Sequence, residues 1–101
     1  MKTRVELQAI LEGILGSRHV YFQPPSSVKM SYPAIVYSRN SIENTHADNA
    51  VYKQDNSYEI IVIDKNPDSE IVSKVSLLPK CRFNQHYVAD GLNHEVFNLY
   101  F

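Results

Sequence analysis

The last 21 residues, CRFNQHYVADGLNHEVFNLYF, constrain the fold of this chain more than any other segment. Apolar and polar side chains alternate on both sides of Asp90 and Gly91, a pair of residues typical of tight turns. Alternation with a period of two indicates strands, so the segment predicts a β-hairpin. The final apolar run, from Val96 to Phe101, predicts a strand held in the core rather than a frayed end.

A loop over residues 89–93 that closes symmetrically gives this hairpin a definite register. The predicted pairs are Cys81 with Phe101, Phe83 with Leu99, and Gln85 with Phe97. Because side chains alternate across a strand, these odd-numbered residues are expected to share one buried face. The opposite face is then polar. It is predicted to carry Arg82, Asn84, His86, His94, Asn98 and Tyr100.

Two helices are predicted from apolar spacing. The first runs from about Arg4 to Leu15, because Leu7, Ile10, Leu11, Ile14 and Leu15 recur at i, i+3, i+4, i+7 and i+8. Thr3 and Glu6 fit a capping box before it, and Gly16 suits the left-handed residue after it. The second is expected to be capped by Asn66, to start at Pro67 and to stop at Pro79. Its apolar stripe is Ile71, Val75 and Leu78.

Three further strands are expected between these helices. Val20 to Phe22 predicts a short strand, which the prolines Pro24 and Pro25 end. Residues 34–37 and 58–63 are rich in β-branched and aromatic residues, whereas the stretch between them is almost entirely polar. This pattern predicts a long hairpin that turns near residues 46–49, with a packed base and a tip outside the core.

The resulting order is α-β-β-β-α-β-β over a single domain, residues 1–101. We therefore expect an α+β fold of two layers: a mainly antiparallel sheet, two helices packed on one face of it, and a long protruding β-hairpin.

Composition excludes several classes of function. The formal net charge is -1 and the ten Lys and Arg residues are spread along the chain, which disfavours direct nucleic-acid binding. No stretch approaches the roughly 18 apolar residues that span a bilayer, and the first residues lack the features of a signal peptide, so the default location is cytoplasmic. The single cysteine, Cys81, is expected to be a small core residue.

Residues with catalytic or metal-binding chemistry form no convincing site. Asp64, Asn66 and Asp68 match the first three ligands of a calcium loop, but its glycine and its bidentate glutamate are missing, and helix capping explains them better. His86 and His94, on one face, suggest a shared metal or an acid/base pair, yet no third ligand joins them, and we expect a polar surface. We therefore expect no catalytic residue, no metal and no cofactor, and a protein that is not an enzyme.

The ordered strings VYFQPP, VKMSYPAIVY, VIDKNPDSEI, LPKCRF and HYVADGLNHEVFNLYF resemble a family of small tail-morphogenesis proteins from long-tailed bacteriophages and prophages, the tail terminator or tail completion proteins. The resemblance covers residues 20–101 and consists of structural signatures rather than chemical motifs. It implies an α+β structural protein of the virion neck, assembled in the host cytoplasm. Such a protein forms a homo-hexameric ring on the head-proximal end of the tail tube.

The resemblance also implies the partners of that ring. They are the major tail tube protein and the head-completion or connector protein, with DNA passing through the lumen without sequence-specific binding and no membrane involved. Two alternatives stay open: a head-completion stopper of the same neck, and a small His-dependent metal-binding or enzymatic α+β domain.

The expected interface residues come from predicted exposure and not from a family motif. Tyrosine is enriched in protein interfaces, and Tyr52 has no obvious core to join in the polar part of the long hairpin. The candidates on that hairpin are Arg39, Glu43, His46, Asp48, Tyr52 and Lys53. A second surface, on the polar face of the last hairpin, is expected to contain Arg82, His86 and His94.

Overall fold

The computed structural model describes residues 3–25, 27–47 and 50–101, and it describes residues 41–47 and 50–55 by their backbone alone. Two helices and a five-stranded, mostly antiparallel sheet form a compact α+β fold, in the predicted order. The elements are α1 (Arg4–Leu15), β1 (Val20–Phe22), β2 (Ala34–Ala47), β3 (Ala50–Asp64), α2 (Glu70–Ser76), β4 (Cys81–Ala89) and β5 (Leu92–Tyr100).

The sheet has the order β1-β2-β3-β5-β4, and only the β1–β2 pair is parallel. The last strand of the chain therefore lies inside the sheet, between β3 and β4. Val96, Phe97 and Leu99 of β5 are at most 2% exposed. The prediction of a core strand in this closing run is confirmed.

Helix α1 has the predicted bounds and the predicted ends. The Thr3 side chain accepts a hydrogen bond from the Glu6 backbone N–H at 3.3 Å, and Gly16 closes the helix with φ +77°. Leu7 and Leu11 are fully buried. The predicted stripe was too wide, however, because Ile10 is 39% exposed.

Helix α2 begins three residues later than predicted. Its N-cap is Ser69, whose hydroxyl accepts from the Ile71 N–H at 3.3 Å. Asn66 is not the cap: its Oδ1 accepts from the Asp68 N–H at 3.0 Å, and Asp64 makes the same kind of contact with the Asn66 N–H at 3.0 Å. These short-range bonds stabilise a turn through Pro67, so the helix begins only after this turn.

The core lies on one face of the sheet, called here the helix face. The ladders pair Tyr58 with Leu99 and Ile60 with Phe97, which places these four side chains on that face. Both helices contribute to the same buried cluster. Its fully buried members from the helices are Leu7, Leu11 and Val75. Truncating such a residue to alanine typically costs about 2–5 kcal/mol.

The long hairpin extends beyond the rest of the sheet. Pairing between β3 and β5 ends at Ser57 and Tyr100, whereas pairing between β2 and β3 continues from Ile42 and Asn56 to Ala47 and Ala50. We call residues 42–47 and 50–56 the ribbon. At about 3.3 Å per residue it is roughly 20 Å long, and the molecule measures 51 × 25 × 23 Å. The turn was predicted near residues 46–49; residues 46 and 47 still belong to β2, and residues 48 and 49 lie outside the described residues.

The last hairpin has a different register from the predicted one. Asp90 and Gly91, with φ +53° and +73°, make a two-residue turn of the kind that matches strand twist, so Ala89 pairs with Leu92. An extra residue, Asn84, then interrupts the ladder between Phe83 and Gln85. The observed pairs nearest the predicted ones are Cys81 with Leu99, Phe83 with Phe97, and Gln85 with Val96.

This register separates the two histidines that were expected to share a face. His86 pairs with Glu95, and His94 pairs with Tyr87. Because Glu95 and His94 are adjacent in β5, their side chains point to opposite faces of the sheet. The prediction of His86 and His94 on one face was wrong. The short turn is the reason, because it shifts the pairing of residues 85–89 by one residue from the predicted register.

Candidate interaction surfaces

The ribbon contains four of the nine residues nominated from the sequence. Its ladder pairs Glu43 with Asp55, Thr45 with Lys53, and His46 with Val51. The structure thus fixes the strand positions of the candidates Glu43, His46, Tyr52 and Lys53. Asp48 lies outside the described residues.

Arg39 marks the base of the ribbon. Its side chain is exposed, with Cζ 6.0 Å from the centre of the Tyr58 ring, a distance at which a cation and an aromatic face attract. Its backbone N–H donates to the Gln23 side-chain oxygen at 3.2 Å, which ties the start of the ribbon to the loop after β1.

Arg82 lies on the face of the sheet opposite the helices. It lines an open cavity of about 530 Å³ near the base of the ribbon. The other lining residues are Asn40, Ser57, Lys80, Asn98 and Tyr100. Arg82 and Lys80 are both exposed, and no Asp or Glu is among the described lining residues, so the described lining carries positive charge.

His86 lies on the helix face beside two oxygen acceptors. Its Nε2 is 3.3 Å from Asn93 Oδ1 and 3.5 Å from Glu95 Oε1. Since both neighbours accept, Nε2 carries the hydrogen. The Asn93 amide in turn donates to the backbone carbonyls of Asp64 and Lys65 at 3.3 and 3.2 Å, so this group links β4 to the end of β3.

His94 belongs to a separate contact on the opposite face. Its ring stacks on Tyr87 with centroids 4.6 Å apart and planes 13° from parallel. Its Nδ1 donates to the Leu92 carbonyl at 3.0 Å. The two histidines therefore have different neighbours, and they cannot bind one ion together.

Cys81 is partly buried, and burial raises the pKa of its thiol. It lies on the helix face like His86, although the sequence had placed these two on opposite faces. Four steps of the ladder separate them, which is about 13 Å. A catalytic Cys–His pair is thus ruled out by distance. Within the described ranges no group of three His, Cys, Asp or Glu side chains is placed to hold a metal ion.

The sequence reasoning missed an exposed apolar surface on β4. Phe83, predicted to be buried, is 57% exposed, and Val88 and Tyr87 are 61% and 41% exposed. Leu77, just after α2, is 79% exposed. Alternation alone could not show this, because it does not say which strand of a hairpin lies at the sheet edge. Composition gave no signal either, because each strand has four Arg, Asn, Gln, His or Glu residues among nine.

Comparisons with protein-family models, with curated proteins and with solved structures found no match for this chain. No helix in the described part is long and apolar enough to cross a membrane.

Proposed function

We propose that this protein is a tail terminator of a long-tailed bacteriophage. Six copies form a ring on the head-proximal end of the tail tube, stop its growth and join the tail to the head connector. The observation that carries this proposal is the ribbon, whose strands pair only with each other within the part of the chain that the structure describes. A two-stranded ribbon is marginally stable alone, so a role in contact with other subunits accounts for its length.

A ring agrees with the arrangement of the surfaces. The ribbon projects from the β2–β3 side of the sheet, and β4 forms the far edge. Two different surfaces on one subunit favour head-to-tail contacts, which give a closed ring when the rotation closes and a fibre when it does not. A formal net charge of -1 is compatible with DNA that passes through the lumen without being bound.

A head-completion stopper of the same neck is the second candidate. The ribbon supports it equally, because a stopper also contacts neighbouring subunits. The two roles differ in the surface that the ring caps. A terminator binds the end of a tail tube in the absence of heads, whereas a stopper binds the connector of a filled head in the absence of tails.

The His-dependent alternative has lost its main support. It required His86 and His94 to act together, and the register places them on opposite faces. What is left is the single contact between His86 and Glu95 at 3.5 Å.

Shortening the ribbon tests the proposal. Residues 43–55 are replaced by Asn-Gly, which leaves the Ile42–Asn56 pair to close a two-residue turn. The Phe101 N–H still reaches the Asn56 carbonyl, a bond of 2.9 Å in the intact chain. We expect the shortened chain to unfold in urea with a free energy within about 1 kcal/mol of the intact protein, since every described member of the buried cluster is kept.

Assembly is measured on the same two proteins by light scattering and negative-stain imaging with purified tail tubes. The intact chain is expected to be monomeric when dilute, and to form sixfold rings when concentrated or placed on tube ends. The shortened chain should stay monomeric and leave the tubes uncapped. Fivefold rings, fibres, or an intact chain that remains monomeric on tubes would contradict the proposal. Unfolding of the shortened chain would show that the ribbon belongs to the core.

A further inference from the structure

The outer edge of β4 is open in this fold. The sheet order places β4 at one end, and no described strand pairs with its outer side. Every residue from 82 to 89 is exposed. The exposed apolar side chains at this edge are Phe83, Tyr87 and Val88, with Leu77 nearby in the chain. An edge of this kind can pair with a strand from another molecule.

The two halves of β4 differ in how well they are protected. Soluble proteins guard edge strands with charges, prolines or bulges. In β4 the charge of Arg82 and the bulge at Asn84 both lie in the first half. Residues 85–89, Gln-His-Tyr-Val-Ala, contain neither an Asp, Glu, Lys or Arg nor a proline. The second half is therefore suited to accept a strand.

The charges of the chain indicate which strand it accepts. Residues 80–89 contain Lys80 and Arg82 and no Asp or Glu. Residues 41–55, which include the ribbon, contain Glu43, Asp48 and Asp55 against the single cation Lys53. Opposite net charges steer two surfaces together and disfavour pairing of each surface with itself. The ribbon is thus a better match for β4 than a second β4 is.

Neither edge of the ribbon is covered by a described strand. The β1 ladder on β2 ends at Tyr37, and the β5 ladder on β3 ends at Ser57. Beyond these residues neither edge of the hairpin pairs with a further described strand. A subunit cannot use its own ribbon in this way, because β5 lies between β3 and β4 in the sheet.

We infer that residues 85–89 of β4 accept the ribbon of a second copy of this chain by edge-to-edge strand pairing. This deepens the proposed function and rests on it. The contact joins two different surfaces, so each subunit accepts the ribbon of one neighbour and inserts its own ribbon into the other neighbour. Phe83 and Val88 become covered in the ring. Main-chain hydrogen bonds supply the pairing, and the apolar side chains supply buried area.

The first test compares two equivalent substitutions. Val88 in β4 and Val5 in α1 are 61% and 66% exposed, so Val88→Glu and Val5→Glu change two similar surface sites. A charge on an edge strand opposes pairing, and a carboxylate also repels the acidic ribbon. We expect Val88→Glu to weaken concentration-dependent association about tenfold or more, and Val5→Glu to leave it unchanged, with both proteins folded by circular dichroism. Equal association by both variants would overturn the inference.

The second test identifies the occupant by disulfide trapping. In a Cys81→Ser background, Val88→Cys places a thiol on β4 and Ala50→Cys places one on the ribbon. The two proteins are mixed at high concentration and oxidised. Mixed dimers in clear excess over both homodimers are expected. A Val88→Cys protein that cross-links mainly to itself would show β4–β4 pairing and overturn the inference.

These outcomes separate the two proposals. If intact chains form sixfold rings on tubes and Val88→Glu does the same, only the edge contact is wrong. If mixed disulfides form but intact rings never cap tubes, the contact is right and the terminator role is wrong. An intact chain that shows no association in either assay overturns both.

Discussion

Tyr37 and Tyr58 are expected to respond in opposite ways to replacement by phenylalanine. Both are at most 1% exposed, and their ring centroids are 6.1 Å apart. The Tyr37 hydroxyl accepts from Arg4 Nη1 at 3.1 Å and donates to Gln8 Oε1. The Tyr58 hydroxyl is buried with no hydrogen-bond partner among the described residues. Phenylalanine thus removes two bonds in one case and an unpaired polar group in the other.

The sizes of the two effects follow from this difference. A hydrogen bond contributes about 1 kcal/mol net, and one to a charged group about 1.5–3 kcal/mol. Arg4 and Gln8 are half-buried and can recover water, so we expect Tyr37→Phe to lower the free energy of unfolding by about 1–2 kcal/mol. An unpaired buried hydroxyl costs about 1–3 kcal/mol. After a small loss of packing, Tyr58→Phe should raise the free energy of unfolding by about 1 kcal/mol.

Urea unfolding of the two variants and the parent protein measures this directly. The slope with urea should be unchanged, and the midpoints should move in opposite directions. The expected gap between the variants is about 2–3 kcal/mol, and each kcal/mol corresponds to roughly 4–8 °C in Tm for a domain of this size. Equal losses in both variants would refute the reasoning, because ring packing rather than hydroxyl pairing would then decide the result.

Two further perturbations follow from local geometry. Gly13 lies inside α1, where an added Cβ meets nothing within 4 Å, so Gly13→Ala should stabilise the protein by about 0.5–1 kcal/mol. Gly16 has φ +77°, so Gly16→Ala should destabilise the protein by about 1 kcal/mol. Thermal melts in which both variants shift Tm in the same direction would contradict this. Burial raises the pKa of Tyr37 above its ordinary value near 10, despite the opposing Arg4 contact. Below about pH 10 the Tyr37 hydroxyl keeps its proton in both the folded and the unfolded state. Above that pH the unfolded chain loses this proton first, so the contribution of the neutral Tyr37 hydroxyl to stability is lost as the pH rises. Urea midpoints between pH 8 and 11 should fall less steeply in Tyr37→Phe, and identical slopes would disprove this.

Elements with a strong and unambiguous signal were predictable from the sequence. Helix α1 has five periodic apolar residues and a single set of caps, and its predicted bounds are confirmed. The long hairpin was also predicted, because the apolar runs at its base and the polar stretch between them leave few other arrangements. Helix α2 was placed less well, because the predicted cap Asn66 instead stabilises a turn before the helix, and Ser69 is the cap.

The candidate surfaces depended on details that composition does not encode. The faces of His86 and His94 depend on the length of the turn between them, because a register change of one residue moves a side chain to the other face of the sheet. The exposure of Phe83 depends on which strand of the last hairpin pairs with β3. That choice is made by long-range pairing, which the alternation pattern of the hairpin does not contain.

The extra residue, Asn84, also affects how readily the edge of the sheet pairs with other strands. By interrupting the ladder between Phe83 and Gln85, it divides a nine-residue strand into two short stretches and bends it. Deleting Asn84 would leave every later side chain on its present face, since the bulge adds a residue without adding a partner. The strand would become straighter and continuous, and a continuous edge is a better template for indiscriminate aggregation. Asn84 thus favours a selective contact at this edge over indiscriminate aggregation.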